Sequence, residues 1–473
     1  MGRMAAYWEI GRVQREGGED KQTFSLKFGG IPFFCHKEGC MKTHNRFFVF
    51  FSVLILSIMV CSPLWAAEKE IKIGVIYPLS GALATIGRDL QKAAEFTAEN
   101  LVNNKNPNVD VLMSKWGGIP SLGNAKIKLI FADSRGEPDR GADLAKRLIL
   151  DDKVVGLMGA YQSAVTKTVS AVAERYGIPM INDSSTSPDL TRRGFKWFWR
   201  TTPHDEYFDK DLFELLKGLT EGKVKGVKAV PKDQLKNLVY ACENTEWGSS
   251  VAKDLEKFSK EYGFNIAKAL LYNANSPDLT SEAQALIAAK PDCMLFASYL
   301  SDSLLMIRTL KGMKASPRFF WGQDAGFEMA DFTKTLGADT NGVLTRTVFI
   351  AKIAKVKRVA GQINDLYKKK YGDDLTGATA RSVVGVQTWA YVLNRAGATD
   401  PKTIQKSCNE IDIRGYELVM PWEGIKFDAT GQNIKGRGLI GQYQWKEGKA
   451  DLEIIYPFDL ATANMIYPFP GWK

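Results

Sequence analysis

The sequence predicts an α/β protein built on two sheets, and three observations carry that expectation. From residue 71 onward, apolar strand-like runs alternate with amphipathic helical runs across short polar turns. That is the pattern of βα units in a parallel sheet with helices on both faces. The same alternation begins afresh near residue 205, which favours two separate sheets over one very wide one. The third is size: 473 residues, 45% hydrophobic and 25% charged, suffice for two compact domains.

Residues 71–77 (IKIGVIY) read as a buried strand followed by a Pro-Leu-Ser-Gly turn. A helix is expected over 88–102, with Leu90, Ala94, Thr97 and Leu101 on one face. Residues 103–124 are polar and contain Gly and Pro, an insertion longer than the usual strand–helix connection. Strand 126–133, helix 138–151, strand 154–160, helix 164–176 and strand 178–182 complete the first series. After a segment at 195–202 and a helix at 206–219 comes the second: strand 237–243, helix 247–262, strand 266–272, helix 279–289, strand 292–298, helix 301–313 and strand 318–322. Helices at 356–371 and 379–396 then precede a hairpin at 441–456, turned at Lys446-Glu447-Gly448-Lys449. These late helices suggest that the chain returns to its first domain, so that each domain is discontinuous.

The first 66 residues read as a leader. Residues 41–46 form a short basic stretch, residues 47–60 a nearly unbroken apolar run, and residues 62–67 end it in small residues. This is the secretory signal pattern, and the run falls short of the ~20 residues that span a bilayer. Cleavage is expected near Ala66; an uncleaved anchor is the rival reading. Residues 1–40 fit no signal design, so Met41 is read as the start of the natural protein and the residues before it as a misassigned beginning. Of the chain's 63 Lys/Arg and 53 Asp/Glu, the leader holds eight and five, leaving an excess of about +7 spread along the rest. The densest basic run, Lys352 to Arg358, reads as a solvated helix start, and no nucleic-acid motif accompanies it. Cys242, Cys293 and Cys408 lie beyond the leader at wide spacing and read as buried thiols rather than a disulfide framework. Only one histidine, His204, lies beyond the leader, so no histidine zinc cluster is possible and a Ser-His-Asp triad would rest on that residue alone. No catalytic residue, metal or cofactor is expected.

In open parallel sheets ligands settle at the carboxyl ends of the strands. Here those ends carry small polar residues: Ser80-Gly81, Gln162-Ser163, residues 182–186 (NDSST) and Gln323-Asp324. Ser163 stands where a helix N-cap is expected, and an anion placed there would meet free amides and a favourable dipole. Ser184, Ser185 and Thr186 could add donors. Carboxylate binding and plain capping both remain open on these residues alone.

From residue 71 to 456 the chain resembles the periplasmic branched-chain amino-acid-binding proteins of ABC importers. The resemblance is carried by IKIGVIYPLSGALATIG (71–87), GAYQSAVTKTVSAVAERYGIPMINDSSTSPDLT (159–191), RTTP (200–203) and WGQDAG (321–326). It implies two Rossmann-like lobes joined by a hinge of crossing strands, the type I periplasmic binding fold. Lobe 1 would take 67–204 and 348–427, lobe 2 205–347 and 428–473. It implies a monomeric periplasmic protein, no enzyme, that closes on a small ligand (an amino acid or carboxylate) and delivers it to a membrane permease. Carried over residue by residue, Gln162 and Ser163 fall in the ligand loop, with Ser163 on the ligand carboxylate and Ser184 and Thr186 at the turn positions. Trp247 and Tyr299 fall on the second lobe's aromatic wall, and Asp324 where an acidic residue takes the ammonium. Asp324 is shorter than the usual Glu, Ile86 replaces a residue that is often aromatic, and the 103–124 insertion is unusual. The ligand could therefore be an aromatic or short-chain carboxylate or an amide, and a sensor serving a separate membrane receptor is a further alternative. A hydrolase or transferase using Asp183, Glu243 and Asp324 is disfavoured, since there is no Gly-x-Ser-x-Gly elbow.

Overall fold

The computed structural model describes residues 69–472, together with three short strands nearer the start: β1 (Trp8–Ile10), β2 (Phe24–Phe28) and β3 (Ile31–Phe34). The chain divides into two units, Met1–Ala67 and Glu68–Lys473. In the first, β1, β2 and β3 pair antiparallel in that order. The expected signal segment and its cleavage position lie outside the described residues.

The second unit opens on β4 (Glu70–Tyr77), whose last five residues are all buried, as befits a strand covered on both faces. The helix that follows, α1 (Ala84–Thr97), begins four residues before the expected start and runs on into a π-helical turn, Ala98–Asn103. Its N-terminal turn packs against the strand exit: a Cβ on Gly87 would lie 2.0 Å from the Pro78 carbonyl oxygen. The 103–124 insertion folds back on this domain through buried Val109, Val111, Met113 and Ile119.

Next come β5 (Lys126–Asp133), α2 (Pro138–Leu150), β6 (Gly156–Gly159), α3 (Ser163–Tyr176) and β7 (Met180–Asn182). The segment at 195–202 contains a fifth strand, β8 (Phe198–Arg200), too short for its alternation to show in the sequence. The sheet order is β5-β4-β6-β7-β8, all parallel.

Helix α4 (Asp205–Thr220) leads to β9 (Asn237–Glu243), α5 (Glu246–Tyr262), β10 (Asn265–Tyr272), α6 (Thr280–Ala288), β11 (Cys293–Ala297), α7 (Leu300–Gly312), β12 (Phe319–Gly322), α8 (Ala330–Leu336) and β13 (Leu344–Thr347). The chain then leaves this sheet for α9 (Arg358–Tyr371), α10 (Gly377–Ala396), α11 (Pro401–Glu410) and the small antiparallel pair β14 (Asp412–Arg414) and β15 (Gly424–Lys426). It returns with the hairpin β16 (Leu439–Lys446) and β17 (Lys449–Tyr456). Glu447 and Gly448 both take positive φ at that turn, +51° and +78°, as a two-residue hairpin loop requires. The second sheet has seven strands in the order β10-β9-β11-β12-β13-β16-β17, antiparallel only where β16 and β17 join.

Helix α10 is buried along nearly its whole length and packs in the core of the first sheet with α1. Its Trp389 ring packs against β6, where a Cβ on Gly156 would come within 2.0 Å of the ring. The Gly156→Ala variant is therefore expected to lose about 1–3 kcal/mol of stability through overpacking, read as a lower urea midpoint; an unchanged midpoint would show that the ring can move aside. The chain thus passes between the two sheets' cores three times, near residues 200–205, 347–358 and 426–439. The first and third passes are tied together: Arg200 N–H donates to the Gly431 carbonyl at 2.8 Å, and Asn433 N–H to the Arg200 carbonyl at 2.9 Å. Cys242, Cys293 and Cys408 are free and buried.

Candidate functional site

A cavity lies between the strand ends of the two sheets, and six of the seven expected residues line it. From the first sheet come Ser163, at the start of α3, and Ser184 and Thr186, after β7. From the second come Trp247 in the first turn of α5, Tyr299 after β11 and Asp324 after β12. Gln162 does not line it. It is the N-cap residue of α3, and its side-chain amide donates outward to the Gly136 carbonyl at 3.4 Å. Ser163 is accordingly the first helical residue and not the cap, which corrects the sequence expectation. Its hydroxyl accepts from Ser187 N–H at 3.2 Å and so fixes the two donor loops together. The first amides of α3 have no intrahelical acceptor and remain suited to an anion. None of the 103–124 insertion reaches the cavity. Its Leu112 and Ser121 amides bind Glu417 and Asn394 at 2.7 and 3.1 Å.

Three further lining residues were not singled out from the sequence: Tyr161, Ala325 and Arg381. Tyr161, Tyr299 and Trp247 form a chain of rings, with centroids 5.9 Å and 5.2 Å apart. Burial pushes the Tyr161 and Tyr299 hydroxyls far above their ordinary range, so both stay neutral. The cavity between these side chains is about 20 Å³, room for one water. No solute larger than water fits between these walls as they stand.

The polar floor is an ion network that spans both sheets. Asp324 Oδ2 lies 2.6 Å from Arg346 Nη1 on β13 and 2.6 Å from Arg381 Nη2 on α10, and its Oδ1 accepts from Ala325 N–H at 2.6 Å. These contacts over-determine a backbone at φ +51°, ψ −146°, a conformation L-residues seldom adopt. Arg346 also donates to Asp205 Oδ1 at 3.0 Å and stacks 3.9 Å from the centre of the Phe208 ring. Burial alone would raise the Asp324 carboxyl, but Arg346 and Arg381 hold it well below the usual carboxylate range. Glu328, 3.9 Å from Arg381, is pushed the other way by burial and by the Asp324 charge, and keeps its proton.

The other titratable groups weighed from the sequence lie outside the cavity lining. Asp183 accepts from the Tyr77 hydroxyl at 2.5 Å, and Glu243 from the Thr245 hydroxyl at 2.8 Å. His204 stands at the N-terminus of α4 with its ring 4.4 Å from that of Tyr207, and burial, then the charge of Arg200, pull its pKa down to about 2. Among the described residues no group of His, Cys, Asp and Glu could hold a metal, and no helix is long and apolar enough to cross a membrane.

Residues 70–449 match the family model for periplasmic binding proteins. The chain belongs to the periplasmic binding protein family. A relative of this binding protein, the Leu/Ile/Val-binding protein homolog 7 of Brucella abortus (strain 2308), is 27% identical over 405 residues, covering 85% of this chain and 95% of the relative. Among solved structures, the branched-chain amino acid transporter substrate-binding protein LivJ of Streptococcus pneumoniae, in complex with isoleucine, matches with a TM-score of 0.65 at 21% identity, over 82% of this chain and all of that one. A solute-binding protein of an ABC transporter from Rhodopseudomonas palustris BisB5, in complex with 3,4-dihydroxybenzoic acid, matches with a TM-score of 0.65 at 16% identity, over 84% and 98%. These neighbours bind solutes and are not enzymes, and their fold is the two-sheet α/β fold described above.

Proposed function

We propose that this protein is the extracytoplasmic solute-binding component of an ABC importer. As a monomer it captures a small, carboxylate-bearing ligand, an amino acid or similar compound, and presents it to a membrane permease. Residues 67–204 and 348–427 form one lobe, and 205–347 and 428–473 the other. The observation that carries this reading is the cavity lined from both sheets: hydroxyls, the start of α3 and the Tyr161 ring on one side, the Trp247 and Tyr299 rings and Asp324 on the other. Each lobe supplies half of the contacts, so a ligand that bridges them favours the closed arrangement, and the three crossing segments act as the hinge. Opening admits the ligand, closure removes it from water, and the permease reads the closed shape.

Calorimetric titration of the 67–473 chain with carboxylate-bearing solutes, paired with X-ray scattering, tests the reading. Unliganded molecules exchange between open and closed arrangements, so binding should lower the mean radius of gyration. Ser163→Ala should weaken binding of the carboxylate by roughly tenfold to a hundredfold, the loss of one hydrogen bond to a charged group. Tight binding without compaction, or an unaffected Ser163→Ala variant, would count against closure on a carboxylate.

A further inference from the structure

The ion network bears on which solutes this cleft accepts, given that it is a solute-binding cleft as proposed above. We propose that the ligand's second polar group meets Arg381 rather than Asp324, so that the solute is a carboxylate bearing an acceptor (an oxo, hydroxy or second carboxylate group) and no ammonium.

Asp324 is the sole acidic residue lining the cavity, so an ammonium would have to bind there. Its carboxylate is already occupied. One oxygen accepts the Ala325 amide at 2.6 Å, and the other is shared by Arg346 and Arg381, each at 2.6 Å. The protonated Glu328 carboxyl borders it as well. A carboxylate has about four lone-pair sites, and these neighbours claim them. An incoming ammonium would lie beside two guanidinium groups, both almost wholly buried, where like charges are poorly screened.

The unmet needs of the site are those of donors. Arg381 lines the cavity, and its Nε–H is buried without an acceptor. Arg381 has only donors to offer and an ammonium has no acceptor to return, whereas an oxo, hydroxyl or carboxylate oxygen completes the pairing. The rings of Tyr161, Trp247 and Tyr299 would then enclose the apolar body of the solute.

The test is calorimetric titration of the 67–473 chain with matched pairs: leucine and ketoleucine, phenylalanine and phenylpyruvate, glutamate and oxoglutarate. At least one oxo acid should bind on the order of tenfold more tightly than its amino acid. Arg381→Gln should weaken that oxo acid by roughly tenfold to a hundredfold more than it changes the matched amino acid, with Arg381→Lys between. Circular dichroism and thermal melting establish that each variant is folded. If an amino acid outbinds its oxo acid, or Arg381→Gln weakens both members of a pair equally, the inference is wrong while the capture reading stands. If no member of any pair binds, both fall.

Discussion

Replacing Asp324 with alanine is expected to open the unliganded molecule. The substitution strips the shared carboxylate from Arg346 and Arg381 and leaves two buried guanidinium groups facing each other. Breaking a buried ion pair by removing one partner costs about 3–5 kcal/mol, roughly a hundredfold to several thousandfold in an equilibrium. The cost does not fall evenly on the fold. Arg381 rides on α10 in the core of the first sheet, while Asp324 and Arg346 belong to the second. The network is therefore strung across the cleft, and parting the walls hydrates both cations. X-ray scattering of the unliganded variant should show a larger radius of gyration than the parent. Asp324→Asn, which keeps the shape and removes the charge, should do the same. Identical scattering curves for parent and both variants would mean that the network does not hold the cleft shut.

Glu243→Gln is expected to remove one measurable share of the alkaline destabilisation of this protein. Glu243 ends β9 beneath the first turn of α5, where a Cβ on Gly248 would lie 2.0 Å from its carbonyl oxygen and 2.8 Å from its Cγ. Its Oε2 has no hydrogen-bond partner. Burial pushes its pKa up from 4.5 to about 8, against the Thr245 hydroxyl and with the Asp302 charge. Below pH 4.5 the group is neutral whether the chain is folded or not. As the pH rises towards 8 the unfolded chain releases this proton while the folded chain retains it, so stability falls. At about 1.4 kcal/mol per pH unit, the loss reaches about 5 kcal/mol and levels off above pH 8. The neutral glutamine carries none of it. Asp254, also pushed up to about 8 by burial, contributes in the same direction and should persist in the variant. Urea unfolding near pH 5 and near pH 9 should show the variant gaining on the parent as the pH rises. Parallel profiles would place the Glu243 proton elsewhere.

The sheet architecture was legible because its strands are nearly continuous apolar runs and its helices have clear faces. β4 and β9 are found within a residue of where the sequence places them. Helix α1 begins earlier than its periodicity suggests, since Gly87 and β-branched residues blur the first turn. Helix α11 was missed although Asp400-Pro401 is a start signal: the Asp400 side chain accepts from Thr403 N–H at 3.0 Å. In the site, Ser163, Ser184, Thr186, Trp247, Tyr299 and Asp324 sit at strand ends or helix starts, which the topology singles out. Gln162 falls outside the lining because it caps α3 and its side-chain amide reaches the Gly136 carbonyl instead. Arg381 and Arg346 could not be assigned, because their partner Asp324 is set by tertiary packing across the cleft. A signal was nevertheless present: Arg381 interrupts a helix of small and apolar residues, and an arginine so placed is buried only when paired.

The docking of Trp389 against Gly156 also governs when the protein can finish folding. More than two hundred residues separate the ring from the strand it covers, and a ribosome adding roughly 5–20 residues per second needs on the order of ten to fifty seconds to cross that interval. Until then the underside of β6 has nothing to bury it, and the amino-terminal half can collapse but not consolidate. If the chain is exported as proposed above, that delay leaves time for it to be threaded through a membrane before its core can close.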